Sequence, residues 1–132
     1  MAMGQKDEHQ HHEELVKGLY EQLKPIMENS EQAIYFYLDD THNAFNTKMA
    51  KLLGYNSVAE MASVKKTPLD AFVDPKSQEK LVNAFAKVVE QMAASDLKDI
   101  TWKKKSGETV KTNMVMVPIT YNGHLFALHF LY

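Results

Sequence analysis

The sequence predicts an α+β domain: a five-stranded antiparallel sheet with helices packed on one face, preceded by an amphipathic helix. Three observations carry this reading. Apolar residues recur at spacings of three and four along 7–29 and again along 77–94, the mark of helices with one buried face. Three strand-like runs close the chain at 99–105, 109–119 and 124–132, joined by Ser106-Gly107 and Asn122-Gly123, and Asn-Gly is a strong hairpin signal. Finally, 132 residues with a hydrophobic fraction of 45% are enough for one domain with a proper core and too few for two.

The elements follow in order. Leu15, Val16, Leu19, Tyr20, Leu23, Ile26 and Met27 form the stripe of the first helix; Pro25 removes a backbone donor, so a kink or break is expected near 21–24. Asn29-Ser30 reads as its stop. Residues 33–39 are aromatic and branched, hence a strand; 40–43 supply turn formers and 44–46 a short partner strand. Thr47 can cap a helix carrying Met49, Leu52 and Leu53 that exits at Gly54. Ser57 with Glu60 has the spacing of a capping box, and 68–73 is a brief helical segment closed by Asp74-Pro75. The long helix presents Leu81, Phe85, Val88, Val89 and Met92 as its apolar face.

Composition removes several functions. All 15 Lys+Arg residues are Lys, so the chain has no guanidinium fork for a carboxylate or phosphate. A net charge of -2 gives no electrostatic footprint for nucleic acid. With no Cys there is no disulfide, thiolate nucleophile or thiolate metal site. There is no phosphate-binding glycine loop and no GxSxG elbow, and Asp39 and Asp40, adjacent on a strand, point to opposite faces. No apolar run reaches the roughly 20 residues of a membrane span, and the expected compartment is the cytoplasm. An enzyme is not expected.

The stretch Asp39 to Tyr55, DDTHNAFNTKMAKLLGY, is the most informative in the chain. Together with Tyr37-Leu38-Asp39-Asp40, Phe72-Val73-Asp74-Pro75 before the long helix and Lys104-Lys105-Ser106-Gly107-Glu108 in the hairpin, it resembles a PAS domain over about 31–131. The turn between Asp40 and Asn46 is shorter than the family's usual one. The resemblance implies a curved five-stranded sheet with helices closing over a space that holds a cofactor, a small molecule or only side chains. It also implies a sensory or signal-transduction role, with residues 1–30 as a flanking dimerisation helix and 31–132 as the sensing body. The homodimer would form through Leu15, Leu19, Leu23 and Ile26, and a partner protein would take the output.

Strand alternation places Lys111, Asn113, Val115 and Val117 on the outer face under the first helix, and Thr112, Met114 and Met116 inside. The candidate ligand- or cofactor-binding residues are Phe36, Asn46, Phe72, Leu81, Phe85, Trp102, Met114 and Met116. No particular cofactor is assigned. A flavin adduct needs a Cys, haem in this family is typically held by a His on the long helix, which has none, and a non-covalent flavin against Trp102 stays open. Small apolar ligands and an output partner are the expected company, beside two alternatives: a ligand-free dimerisation scaffold with a filled core, and a small cone-fold α+β enzyme. His129 reads as a satisfied core histidine, and Glu8, His9, His12 and Glu13 share one helix face that a metal can use.

Overall fold

The computed structural model describes residues 5–132, with side chains from residue 10 onward. Helix α1 (Gln5–Asn29) leads into β1 (Ala33–Asp39) and β2 (His42–Phe45). Four helices follow, α2 (Thr47–Leu52), α3 (Val58–Ala62), α4 (Pro68–Phe72) and α5 (Pro75–Gln91). Strands β3 (Ser95–Lys103), β4 (Thr109–Tyr121) and β5 (His124–Leu131) complete one sheet of order β2-β1-β5-β4-β3, with every pairing antiparallel.

Two apolar layers sandwich the sheet. On one face α2 to α5 pack Met49, Leu53, Phe72, Leu81 and Val88 against Tyr35, Trp102, Met114, Met116 and Leu131. On the other, Leu15, Leu19 and Met27 of α1 cover Ile34, Phe36, Phe126 and Leu128. The period of two along β1, β4 and β5 therefore feeds two cores rather than one core and solvent. Strand β3 breaks it. Leu97 and Ile100 both face inward although three residues apart, because a bulge with Asp99 at φ 56 inserts an extra residue. The Asn113 side chain accepts from Asp99 N–H at 3.1 Å and holds the bulge.

Several expectations are corrected by geometry. Helix α1 is one element through Pro25 rather than broken near 21–24, because the helix's packing against the sheet spans both sides of the proline. Asn46, not Thr47, is the N-cap of α2. Its side chain accepts from Met49 N–H, as an N-cap should, and leaves Thr47 as the first helical residue. Gly54 makes the left-handed exit at φ 84. On α5, Val89 and Met92 turn to solvent, and only Leu81, Ala84, Val88 and the half-buried Phe85 serve the core; the apolar arc of that helix is wider than the surface beneath it. Gly18 lets α1 approach the sheet closely, since a Cβ there would fall 2.3 Å from the Tyr121 hydroxyl. Among the described residues no helix is long and apolar enough to cross a membrane.

Candidate functional site

The start of α5 is tied to β3 by backbone and side chain together. Asp74 caps α5 by accepting from Lys76 N–H at 3.1 Å, and its own N–H donates to the Thr101 carbonyl at 3.0 Å. The buried Ser77 hydroxyl accepts from Thr101 N–H at 2.9 Å. These bonds set α5 as a lid across one face of the meander, and the lid does not close completely. A cavity of about 260 Å³ remains between α4, α5 and the sheet.

Phe72, Leu81, Phe85, Trp102 and Met116 all line this cavity, so five of the eight residues named from sequence meet there. The other three do not. Met114 is buried in the same core one register away. Asn46 is spent on backbone: it accepts from Ile34 N–H at 3.0 Å and Met49 N–H at 2.9 Å and donates to the Gln32 carbonyl at 3.0 Å. Phe36 lies on the opposite face, edge-on to Phe126 beneath α1. The reason is alternation from β1's neighbours: Tyr35 and Tyr37 point inward, so Phe36 cannot.

The residues that give the cavity its polarity are Tyr35, Tyr37, Asp40 and His129, none of them on the sequence-derived site. The parity that Tyr35, Tyr37 and His129 share with Met116, read across β4, β5 and β1, could have found three of them; Asp40 lies in the turn after β1, where no alternation applies. Tyr35 and His129 are register partners on β1 and β5, and their rings stack at 4.0 Å with 6° between planes. His129 is not the satisfied core histidine expected, because its buried Nδ1 has no hydrogen-bond partner. Burial pushes its imidazole down to about 3, which the backbone at Tyr35 and Ala127 offsets only in part, so the ring is neutral at pH 7. Burial also raises the Tyr35 phenol, and burial together with the hydrogen bond to Asp40 raises that of Tyr37. Both phenols are therefore protonated donors. Trp102 stands edge-on to Tyr35 with ring centres 6.1 Å apart, its Nε1–H donating to the Thr112 hydroxyl at 2.9 Å.

No family model matches the sequence, and no curated protein matches it. Solved structures do. A PAS domain from Colwellia psychrerythraea is similar at TM-score 0.64 and 19% identity, over 86% of this chain and 95% of that one. The PAS domain of nitrogen regulation protein NR(II) from Vibrio parahaemolyticus matches at 0.62 and 14%, over 82% and 94%. The PAS domain of an HTR-like protein from Haloarcula marismortui matches at 0.60 and 14%, over 93% and 98%. The fold is that of a PAS domain. Within that fold the cavity occupies the space between the sheet and the α4–α5 cover.

Proposed function

We propose that this PAS domain is a sensory module that seats a small, largely apolar, neutral molecule in the cavity under α5 and relays its presence through the sheet to α1. One observation carries the reading: an open apolar space is left in the core, and a fully buried imidazole on its wall has a nitrogen without a partner. A core filled only by its own side chains would close the space and pair or replace that histidine, because an unsatisfied buried polar atom costs about 1–3 kcal/mol. The volume lies just under the roughly 300–1,000 Å³ of most small-molecule sites, so the ligand is small. With Tyr35 and Tyr37 held protonated and His129 neutral, a neutral ring bearing one or two hydrogen-bonding groups fits the chemistry better than an anion.

A route for the signal is built into two strands. Strand β5 presents His129 to the cavity and Leu128 to α1; strand β1 presents Tyr35 and Tyr37 inward and Ile34 and Phe36 outward. A ligand that moves either strand moves the seat of α1 in the same step. Residues 1–30 then act as the relay and residues 31–132 as the sensing body.

Trp102 is the sole Trp and forms part of the wall, so its fluorescence reports occupancy. Native mass spectrometry of the purified protein should show a retained small molecule or, with neutral aromatic fragments added, a saturable one-to-one adduct accompanied by a change in Trp102 emission. Leu81→Phe should fill the space and weaken that adduct at least about tenfold while far-UV circular dichroism stays unchanged. Failure of every fragment to bind, with a clean apo mass, would return the chain to the ligand-free scaffold reading.

The homodimer rests on a narrower surface than the sequence implies. Leu15 and Leu19 are spent on the chain's own sheet, Leu23 is half-buried, and Ile26 is 47% exposed. A dimer through α1 therefore uses the edge of the helix around Ile26, and Ile26→Glu should convert it to a monomer by light scattering. An unchanged dimer mass would remove α1 as the interface.

A further inference from the structure

At the N-terminal end of α1 the fold gathers histidines from three elements that lie far apart in sequence. His11 and His12 come from α1, His42 opens β2 and His124 opens β5. The His12 ring centre is 5.2 Å from that of His42 and 5.4 Å from that of His124, both in edge-on arrangements. His11 stands 5.4 Å from His124. Asp39, the last residue of β1, joins them. Its Oδ1 accepts from Thr41 N–H at 3.0 Å, from the Thr41 hydroxyl at 3.1 Å and pairs with His42 Nδ1 at 2.7 Å, while Oδ2 lies 3.9 Å from His12 Nδ1. Burial alone would raise this carboxyl, but the bonds from His42 and Thr41 hold it below the usual carboxylate range.

We propose that His12, Asp39 and His42 form a binding site for a divalent transition-metal ion, with His124 beside it, and that the bound ion clasps α1 to the β1–β2 turn. Each of the first three residues offers one ligand atom, and those atoms all lie within 4.8 Å of one another. Imidazoles bound tetrahedrally with metal–nitrogen distances of about 2.0–2.1 Å hold their ring centres roughly 5 Å apart, close to the two spacings made by His12. Imidazole with carboxylate and no thiolate suits zinc, cobalt, nickel or copper rather than magnesium or calcium, which prefer an all-oxygen shell. Burial differs usefully among the ligands: His42 is buried, His12 is 20% exposed, and a cleft bordered by Gln10, Glu13 and Thr41 reaches His42. The hydrogen bonds to Asp39 Oδ1 orient the carboxylate before any ion arrives, the arrangement that tunes ligands in metal sites.

The site belongs to neither the cavity nor the relay face. It acts where α1 begins to cover the sheet, so its occupancy would set how firmly the proposed relay helix is docked. This differs from a site on the helix alone, which the spacing of Glu8, His9, His12 and Glu13 suggests; the side chains of Glu8 and His9 lie outside the described residues.

Titration of the full chain with zinc chloride by calorimetry should show one equivalent bound, with a melting temperature that rises and returns on adding EDTA. Cobalt chloride should give the visible absorption of a four-coordinate nitrogen–oxygen site. His12→Gln and Asp39→Asn should each weaken zinc binding at least about tenfold. His12 is partly exposed on a helix, so that variant folds, and far-UV circular dichroism checks both. Absence of stoichiometric binding would overturn the proposal. So would binding unchanged by Asp39→Asn.

Discussion

Replacing Asn46 with Ala lowers the unfolding free energy by about 3 kcal/mol, the largest single-residue loss expected outside the apolar core. One part is the lost helix cap: Met49 N–H loses its acceptor, which costs about 1 kcal/mol at a typical N-cap. The larger part is Ile34 N–H, a donor on β1 that finds its partner in this side chain rather than in a strand and is buried with no water to replace it. Leaving such a donor orphaned costs about 1–3 kcal/mol. The Gln32 carbonyl, only partly buried, recovers a partner from solvent and adds less. Asn46→Asp keeps an acceptor for both N–H groups but turns a buried carboxylate oxygen toward the Gln32 carbonyl, so it also costs stability, and less at acid pH where the carboxyl can protonate and donate to that carbonyl. Urea unfolding of the three proteins checks the order. A loss below 1 kcal/mol for the Ala variant would mean that β1 and α2 are not joined through this side chain.

Stability falls by about 2 kcal/mol between pH 7 and pH 5 through His129 alone. The sign follows from the direction of its shift. The folded-state value of about 3 lies below the ordinary 6.5, so in this interval the unfolded chain takes up a proton that the folded chain refuses. Stability is therefore complete above pH 6.5 and declines as pH drops toward 3. Carboxylates such as Asp39, whose folded value is lowered, add their own loss only at more acid pH. His129→Phe keeps an aromatic ring stacked on Tyr35 and removes the titration together with the unpartnered nitrogen. Its unfolding free energy at pH 5 should exceed that of the parent chain, and the slope between pH 7 and 5 should flatten. Equal slopes in the two proteins, measured by urea unfolding at both pH values, would show that His129 is hydrated or paired in solution.

Most of the fold was legible because its signals are local. The periodicity of α5, the Gly54 exit, the Ser57–Glu60 capping pair and the Asn122-Gly123 hairpin each act within a few residues, and each appears where expected. The face of β4 was legible too, since Lys111 and Asn113 mark one side as polar and Met114 and Met116 therefore face the core. Strand β1 offered no such mark. Ala-Ile-Tyr-Phe-Tyr-Leu is apolar on both sides because helices cover both sides, and Phe36 was assigned to the wrong one. The start of β3 was missed for a related reason: the bulge at Asp99 breaks the alternation that would have revealed Leu97.

By itself the sequence determined the element order, the antiparallel meander and the absence of thiol and guanidinium chemistry, because propensity, turn geometry and composition are properties of short segments or of the whole count. Tertiary structure alone decided that His129 would be buried against Tyr35 beside an unfilled space. It likewise decided that His12, Asp39, His42 and His124 would share one corner. Those outcomes depend on strand register and on where α1 lies over the sheet. Both are settled by how two apolar faces divide between two covering layers, which no local pattern in the chain encodes.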